Sequence, residues 1–229
     1  MVDSIVSLTN LTVSYGRKLA LCGVTFELAA QSGVVGLFGP NGAGKSTTLR
    51  VLVGDIARYG GVAKIPSRGQ VAYLPDKPFL PGWLRVAQCV ELFASRHPDF
   101  RPEVVKAFLA ESNVTSTARV SSLSKGMSER LNLALVLARS PQLYVLDEPL
   151  AAVDPLTRDH LISLITELRD PNSPVLLSTH LIHGLDRIFD SVVMIADGRT
   201  LVSGDMESVR SIGDGDLETA YKRIVTLHE

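Results

Sequence analysis

Hydrophobic and polar positions change period several times along the chain. Val24, Phe26 and Leu28 alternate with Thr25 and Glu27, the mark of a half-buried strand, and residues 5–15 read as another strand ending at Tyr15-Gly16. Val34-Val35-Gly36-Leu37-Phe38 is an unbroken apolar run, as a strand buried on both faces requires. Over 46–53 the apolar residues Leu49, Val51, Leu52 and Val53 predict a helix that Gly54 can cap. Two short strands are expected at 60–65 and 71–74. Pro78 and Pro81 then mark 76–83 as a loop. From 84 to about 139 the period is helical. Val86, Cys89, Val90 and Phe93 share a face, Pro102 opens a second helix bearing Val104, Val105, Phe108 and Leu109, and Leu131, Leu135 and Ala138 mark a third.

Apolar strands return at 143–146 and 175–179. Between them Asp154-Pro155 is an N-cap and first-turn pair, opening a helix with Leu161, Leu164, Ile165 and Leu168 on its inner face. Residues 191–195 and 200–202 flank Asp197-Gly198 and predict a hairpin. Asp216 is placed to cap a last helix with Leu217, Tyr221 and Ile224. Strands alternating with helices predict an α/β fold with a mainly parallel sheet. The expected organisation is a single domain over 1–229, a helical subdomain at 84–140 within it, and a C-terminal helical tail at 205–229.

Composition narrows the function. A chain of 229 residues can bury roughly 70–75% of its unfolded surface, so it needs no disulfide or metal staple. Cys22 and Cys89 are far apart, match no metal or redox spacing, and read as ordinary thiols. The mean hydropathy of +0.20 is high, yet no apolar run approaches the ~18 residues a membrane helix needs. Asp3 and early polar residues leave no basic-then-apolar leader, so the expected location is cytoplasmic. With 23 basic and 24 acidic residues and no basic stretch, nucleic acid is not an expected partner. His97, His160, His183 and His228 lie in no chemical context and are expected at the surface.

The chemistry is concentrated at 39–47, Gly-Pro-Asn-Gly-Ala-Gly-Lys-Ser-Thr, between the apolar strand and the following helix. Gly, four residues, then Gly-Lys-Ser is a phosphate loop in the context that loop requires. Gly39, Gly42 and Gly44 let the backbone around Asn41 turn N–H groups inward on phosphate oxygens, and the helix start adds a favourable dipole. Lys45 can reach β- and γ-phosphates, Ser46 can offer a hydroxyl to Mg2+, and Thr47 can bond a phosphate. About a hundred residues later the strand at 143–146 runs into Asp147-Glu148-Pro149. Asp147 can hold the metal through a water, and Glu148 can polarise the attacking water or take its proton.

With these motifs in order, nearly the whole chain resembles the ATP-binding subunits of ABC transporters. Residues 39–47 match that family's Walker A loop and 143–148 its Walker B strand with the catalytic glutamate. Leu123-Ser124-Lys125-Gly126-Met127 is similar to the family signature, although Lys125 and Met127 depart from the usual Gly and Gln. Asp154 falls in the D-loop, and His180, after Ser178-Thr179, is the switch histidine. Tyr15 sits where the family stacks a ring on adenine, although an aromatic at a strand end can also simply pack. Asp76 stands where the Q-loop glutamine is expected.

The resemblance implies a RecA-like P-loop core, an antiparallel β-subdomain and an inserted helical subdomain. It implies ATP and Mg2+ as ligands; Ser46 and Asp147 are read as holding the metal, and Asp76, a carboxylate where the family has an amide, is read as leaning toward it. It implies a head-to-tail pairing with a second copy or a paralogous subunit, in which Ser124 and Gly126 of one chain close on ATP held by the other. A separate membrane permease is the implied partner, placing the chain at the inner face of the membrane. Tyr73-Leu74-Pro75-Asp76 and Ser-Lys-Gly-Met look most like exporters of the bacitracin-resistance or YtrB type. A non-transport assembly or regulatory factor of the same family is the alternative. Phe79, Leu80 and Trp83 either pack beneath their loop or receive a cytoplasmic helix of the permease.

Overall fold

The computed structural model describes residues 4–112, 114–151, 155–180, 185 and 187–226. It begins with long strands β1 (Ser4–Tyr15) and β2 (Lys18–Ala29), then β3 (Val34–Phe38), helix α1 (Lys45–Leu52), β4 (Gly60–Lys64) and β5 (Val71–Leu74). Helices α2 (Val86–Arg96), α3 (Pro102–Glu111) and α4 (Lys125–Leu137) follow. After them come β6 (Leu143–Asp147), α5 (Pro155–Leu168), β7 (Val175–Thr179), β8 (Ser191–Ala196), β9 (Arg199–Asp205), α6 (Met206–Ile212) and α7 (Leu217–Thr226).

Six strands form one sheet in the order β5-β6-β7-β3-β8-β9, parallel except for the β8–β9 hairpin. β1, β2 and β4 form a separate antiparallel sheet in the order β2-β1-β4. The apolar runs behave as strands covered on both faces should. Alternate residues divide between two cores. Phe38, Tyr144, Leu146, Val175, Leu177 and Met194 face α4, α5 and the C-terminal helices. Leu37, Leu143, Val145, Leu176 and Val193 face α1 and the antiparallel sheet.

A third core, around Cys89, Val105, Phe108 and Leu131, lies among α2, α3 and α4. α4 joins the cores: Leu133, Val136 and Leu137 belong to the sheet side, and Leu131, Ala134, Leu135 and Ala138 to the helical side. Arg139 adds a polar tie. Buried to 4% exposure, it pairs with Asp99 at 3.0 Å and donates to the carbonyls of Val71 and Gly69 at 2.7 and 2.6 Å. An arginine buried this way is tolerated because its donors meet a carboxylate and two carbonyls.

The strands at 34–38, 71–74 and 175–179 and the hairpin at Asp197-Gly198 form as the pattern predicts. Asp216 caps α7 through the N–H of Thr219 at 2.7 Å. Other expectations are corrected. β2 starts at Lys18 rather than at 24, because pairing with β1 runs from Tyr15↔Lys18 to Ser4↔Ala29. The helical period is broken between α3 and α4, where the described residues hold only a 3-10 turn at Val120–Ser122. His97 is half-buried rather than at the surface, its ring 5.6 Å from that of Phe93, and burial lowers its pKa. His160 is exposed. His183, His228 and the cap residue Asp154 lie outside the described residues.

Candidate functional site

Three parallel strands end side by side. Register pairs Leu37 of β3 and Asp147 of β6 with Ser178 of β7, so the carboxyl ends of the three strands share one level. In open parallel sheets this edge is where ligands bind. Strand alternation decides which side chains meet there. Asp147 and Ser178 continue the series Leu143, Val145 and Leu176, whose face is covered by α1. The Asp147 carboxylate therefore points toward the helix that the phosphate loop opens.

It accepts hydrogen bonds from Ser178 Oγ at 2.6 Å and Ser46 Oγ at 3.2 Å. Burial pushes the Asp147 carboxyl above its ordinary pKa. The two hydroxyl bonds pull it back, and the charges of Asp76 and Glu148 raise it again. In the sequence Ser178 stands out only as part of the Ser178-Thr179 pair ahead of His180. The signal was a hydroxyl closing an otherwise apolar strand.

Glu148 leaves the strand with φ 49°, a left-handed backbone that a non-glycine residue adopts at a cost of about 1–3 kcal/mol. Its N–H holds the turn by donating to the carbonyl of Ser178 at 3.1 Å and to its Oγ at 3.0 Å. The turn carries the Glu148 carboxylate over the loop. There Oε1 lies 3.4 Å from Lys45 Nζ and Oε2 lies 2.9 Å from His180 Nδ1. Lys45, 6% exposed, also donates to the carbonyl of Gly39 at 2.8 Å. One ammonium thus bridges the start of the loop and the carboxylate across from it.

α1 begins at Gly44, with φ 108° and no side-chain cap. A Cβ there would lie 2.5 Å from Leu21 Cδ2, so the loop needs glycine for its backbone and for its packing. The uncapped helix start opens into a cleft of about 720 Å³ lined by Tyr15, Asn41, Gly42, Lys45, Ser46, Thr47, Asp76, Glu148 and His180, among others. Tyr15 stands at the rim, 45% exposed, with its hydroxyl 3.1 Å from Arg50 Nη1. The guanidinium of Arg50 lies 6.0 Å from the ring centroid. Lys18 and Leu19, also on the cleft wall, were missed because a strand reading that starts at 24 left them in a loop.

Ser124 and Gly126 are not part of this cleft. Ser124 is exposed at the start of α4, where its hydroxyl accepts from the N–H of Met127 at 3.3 Å. Among the loop residues after β5, Phe79 packs on the sheet-side core and Leu80 on the helical core, whereas Trp83 is 71% exposed.

A phosphate loop, a strand-end Asp-Glu pair and a histidine converge on one cleft, and the model of the family described as ABC transporter matches residues 21–151. The chain belongs to the ABC transporter family. Similar proteins include the ABC-type transporter ATP-binding protein EcsA of Bacillus subtilis, 29% identical with 95% of each chain covered. The aliphatic sulfonates import ATP-binding protein SsuB 2 of Frankia alni is 36% identical, covering 85% of this chain and 78% of that one. A solved structure described as the ATP binding subunit of an ABC transporter superposes with a TM-score of 0.83 at 26% identity, covering 96% of this chain and 99% of that one. The chain is an ABC transporter ATP-binding subunit with a P-loop core, an antiparallel sheet and an inserted helical block, and ATP is its ligand. Among the described residues, no helix is long and apolar enough to cross a membrane.

Proposed function

We propose that this subunit hydrolyses Mg-ATP between two head-to-tail ATPase chains and drives a separate membrane permease. The observation that carries the reading is the Glu148 carboxylate, held between Lys45 and His180 on the wall of the phosphate cleft. A general base needs a fixed position and hydrogen-bonding partners to act on a water. Glu148 has both. Lys45 serves the β- and γ-phosphates once nucleotide draws it from the Gly39 carbonyl. His180 orients Glu148 and meets the γ-phosphate. Gly39, Asn41, Gly42, Gly44 and Thr47 cradle the phosphates, and Tyr15 takes the adenine.

The donor set at the start of α1 fits Mg2+. A hydroxyl and a carboxylate oxygen stand 3.2 Å apart, both hard ligands, and Mg2+ ordinarily takes one or two such groups beside water and phosphate oxygens. Ser46 and Asp147 would hold it, with Asp76 nearby, and the ion would offset the negative charge of the triphosphate. Asp76, exposed on the rim, can only accept hydrogen bonds when ionised, whereas a glutamine can also donate. Asp76 then answers to the metal and passes its state to the permease through the loop at 78–83.

Ser124, Gly126 and Asp154 act on the nucleotide of the opposing chain, a second copy or a paralogue. The block at 84–140 is the arm that carries the first two, and the chain works on the inner face of the membrane. Purification of the tagged chain from membranes tests the reading. A co-purifying membrane protein that stimulates ATP turnover is expected, and a soluble complex without one would contradict it.

A further inference from the structure

β7 is apolar until Ser178, which is as deeply buried as Leu176 and Leu177 before it, at 0% exposure. A hydroxyl taken out of water is destabilising unless it is hydrogen-bonded, and an apolar residue would serve the core at least as well. Ser178 makes two hydrogen bonds through its side chain, and their directions are forced. A hydroxyl carries one hydrogen and two lone pairs. The hydrogen goes to Asp147 Oδ1 at 2.6 Å, because an ionised carboxylate only accepts. A lone pair is left for the Glu148 N–H at 3.0 Å, because an amide N–H only donates. One buried oxygen thus ties the last residue of β6 to the residue that leaves the strand.

The tie sits where the backbone is strained. With φ 49°, Glu148 keeps its turn only if its surroundings hold it there. Two side chains hold its carboxylate, Lys45 Nζ at 3.4 Å and His180 Nδ1 at 2.9 Å, and both line the cleft, where an entering ligand can draw them off. The hold on the backbone is different. No solvent reaches Ser178, so a ligand in the cleft does not compete for its hydroxyl. We propose that Ser178 is a positioning residue for ATP hydrolysis: its hydroxyl, anchored on Asp147, keeps Glu148 in the turn that sets the carboxylate over the phosphate loop. This role rests on the reading of Glu148 as the base. The Ser178 carbonyl also accepts from the Glu148 N–H, at 3.1 Å. Any residue supplies that carbonyl, and only a hydroxyl side chain supplies both the second bond and the link to Asp147.

Substitution separates the two. Ser178→Ala removes the hydroxyl and cannot overpack the sheet. Ser178→Val and Ser178→Thr share one shape and differ in the hydroxyl. In the intact chain, without nucleotide or Mg2+, hydrogen exchange of the Glu148 amide should quicken about tenfold in Ser178→Ala and Ser178→Val, as loss of one hydrogen bond would give. It should stay near wild type in Ser178→Thr, and the amides of Leu146 and Leu177 should not change in any of the three. At saturating Mg-ATP, phosphate release should fall roughly tenfold to a hundredfold in Ser178→Ala and Ser178→Val, as a misplaced catalytic group costs, with ATP affinity unchanged. Unchanged exchange at Glu148 in both hydroxyl-free variants, faster exchange throughout β6 and β7, wild-type turnover in Ser178→Ala, or Ser178→Thr no better than Ser178→Val would each overturn the proposal. Full turnover in Glu148→Gln would refute the base and with it the catalytic half of the proposal. The exchange data tell that failure from the others, since they do not depend on turnover.

Discussion

Two helices of this subunit begin with residues read from sequence as phosphate sites, and they begin differently. α1 starts at Gly44 with no side-chain cap, facing a cleft that already holds Lys45, Glu148 and His180. α4 starts at Ser124, whose hydroxyl is engaged with the N–H of Met127, away from that cleft. The first N–H groups of a helix lack intrahelical partners, and a side-chain cap or an anion can meet them. A bare end is therefore ready for phosphate. A capped end is stable alone and must exchange its cap for an anion. In the proposed head-to-tail pair the first helix would build its site within one chain, and the second would become a site only when another chain brings the phosphate.

The most severe way to break the bare end is Lys45→Ala. It removes the ammonium that bridges Gly39 and Glu148, and ATP affinity should fall about a hundredfold or more while turnover is abolished. Equilibrium titration and phosphate release measure both, and tight binding with normal turnover would refute the phosphate-loop assignment. Next in size, Glu148→Gln keeps the shape and loses the proposed base. Turnover should drop roughly 10²–10⁴-fold with ATP still bound. An ATP-trapped pair of chains should then elute ahead of the monomer in size exclusion.

How much of this contrast was legible in the sequence depends on what each feature rests on. The phosphate loop was readable because glycine spacing and an apolar strand are local properties. The paired carboxylates were readable because Asp147-Glu148 interrupts a run of apolar residues. The left-handed backbone of Glu148 was not, since it is imposed by Ser178 on a neighbouring strand. The first half of β2 was missed because Lys18 and Leu19 are exposed and carry no alternation; pairing with β1 makes them a strand. The start of α4 was legible at Ser124, a side chain suited to cap a helix ahead of an apolar helical face. The burial of Asn132 has no local signal, because its neighbours decide it.

At the capped end the expected effect is smaller. Ser124→Ala removes one hydrogen bond, so the isolated chain should lose about 1 kcal/mol, or roughly 2–4 °C in melting temperature. ATP affinity should stay the same. Calorimetry that finds no loss would mean that the cap contributes nothing, and a loss of ATP affinity would place Ser124 in the cleft of its own chain. The smallest effect is expected at Asp76. Turnover in wild type should depend more steeply on Mg2+ than in Asp76→Gln, and Asp76→Ala should weaken stimulation by the permease more than it weakens ATP binding. Identical Mg2+ titrations and identical stimulation in all three would make Asp76 a solvated loop residue.

Complementation tests the contrast between the helix ends most directly. Chains carrying Lys45→Ala are mixed with chains carrying Ser124→Ala, each inactive or nearly so alone, and phosphate release is followed after mixed pairs have been verified by differential tagging. If the bare end of one chain and the capped end of the other make one site, each mixed pair holds one site with both residues intact, and partial activity returns. Mixed pairs that remain as inactive as the parents would contradict the account.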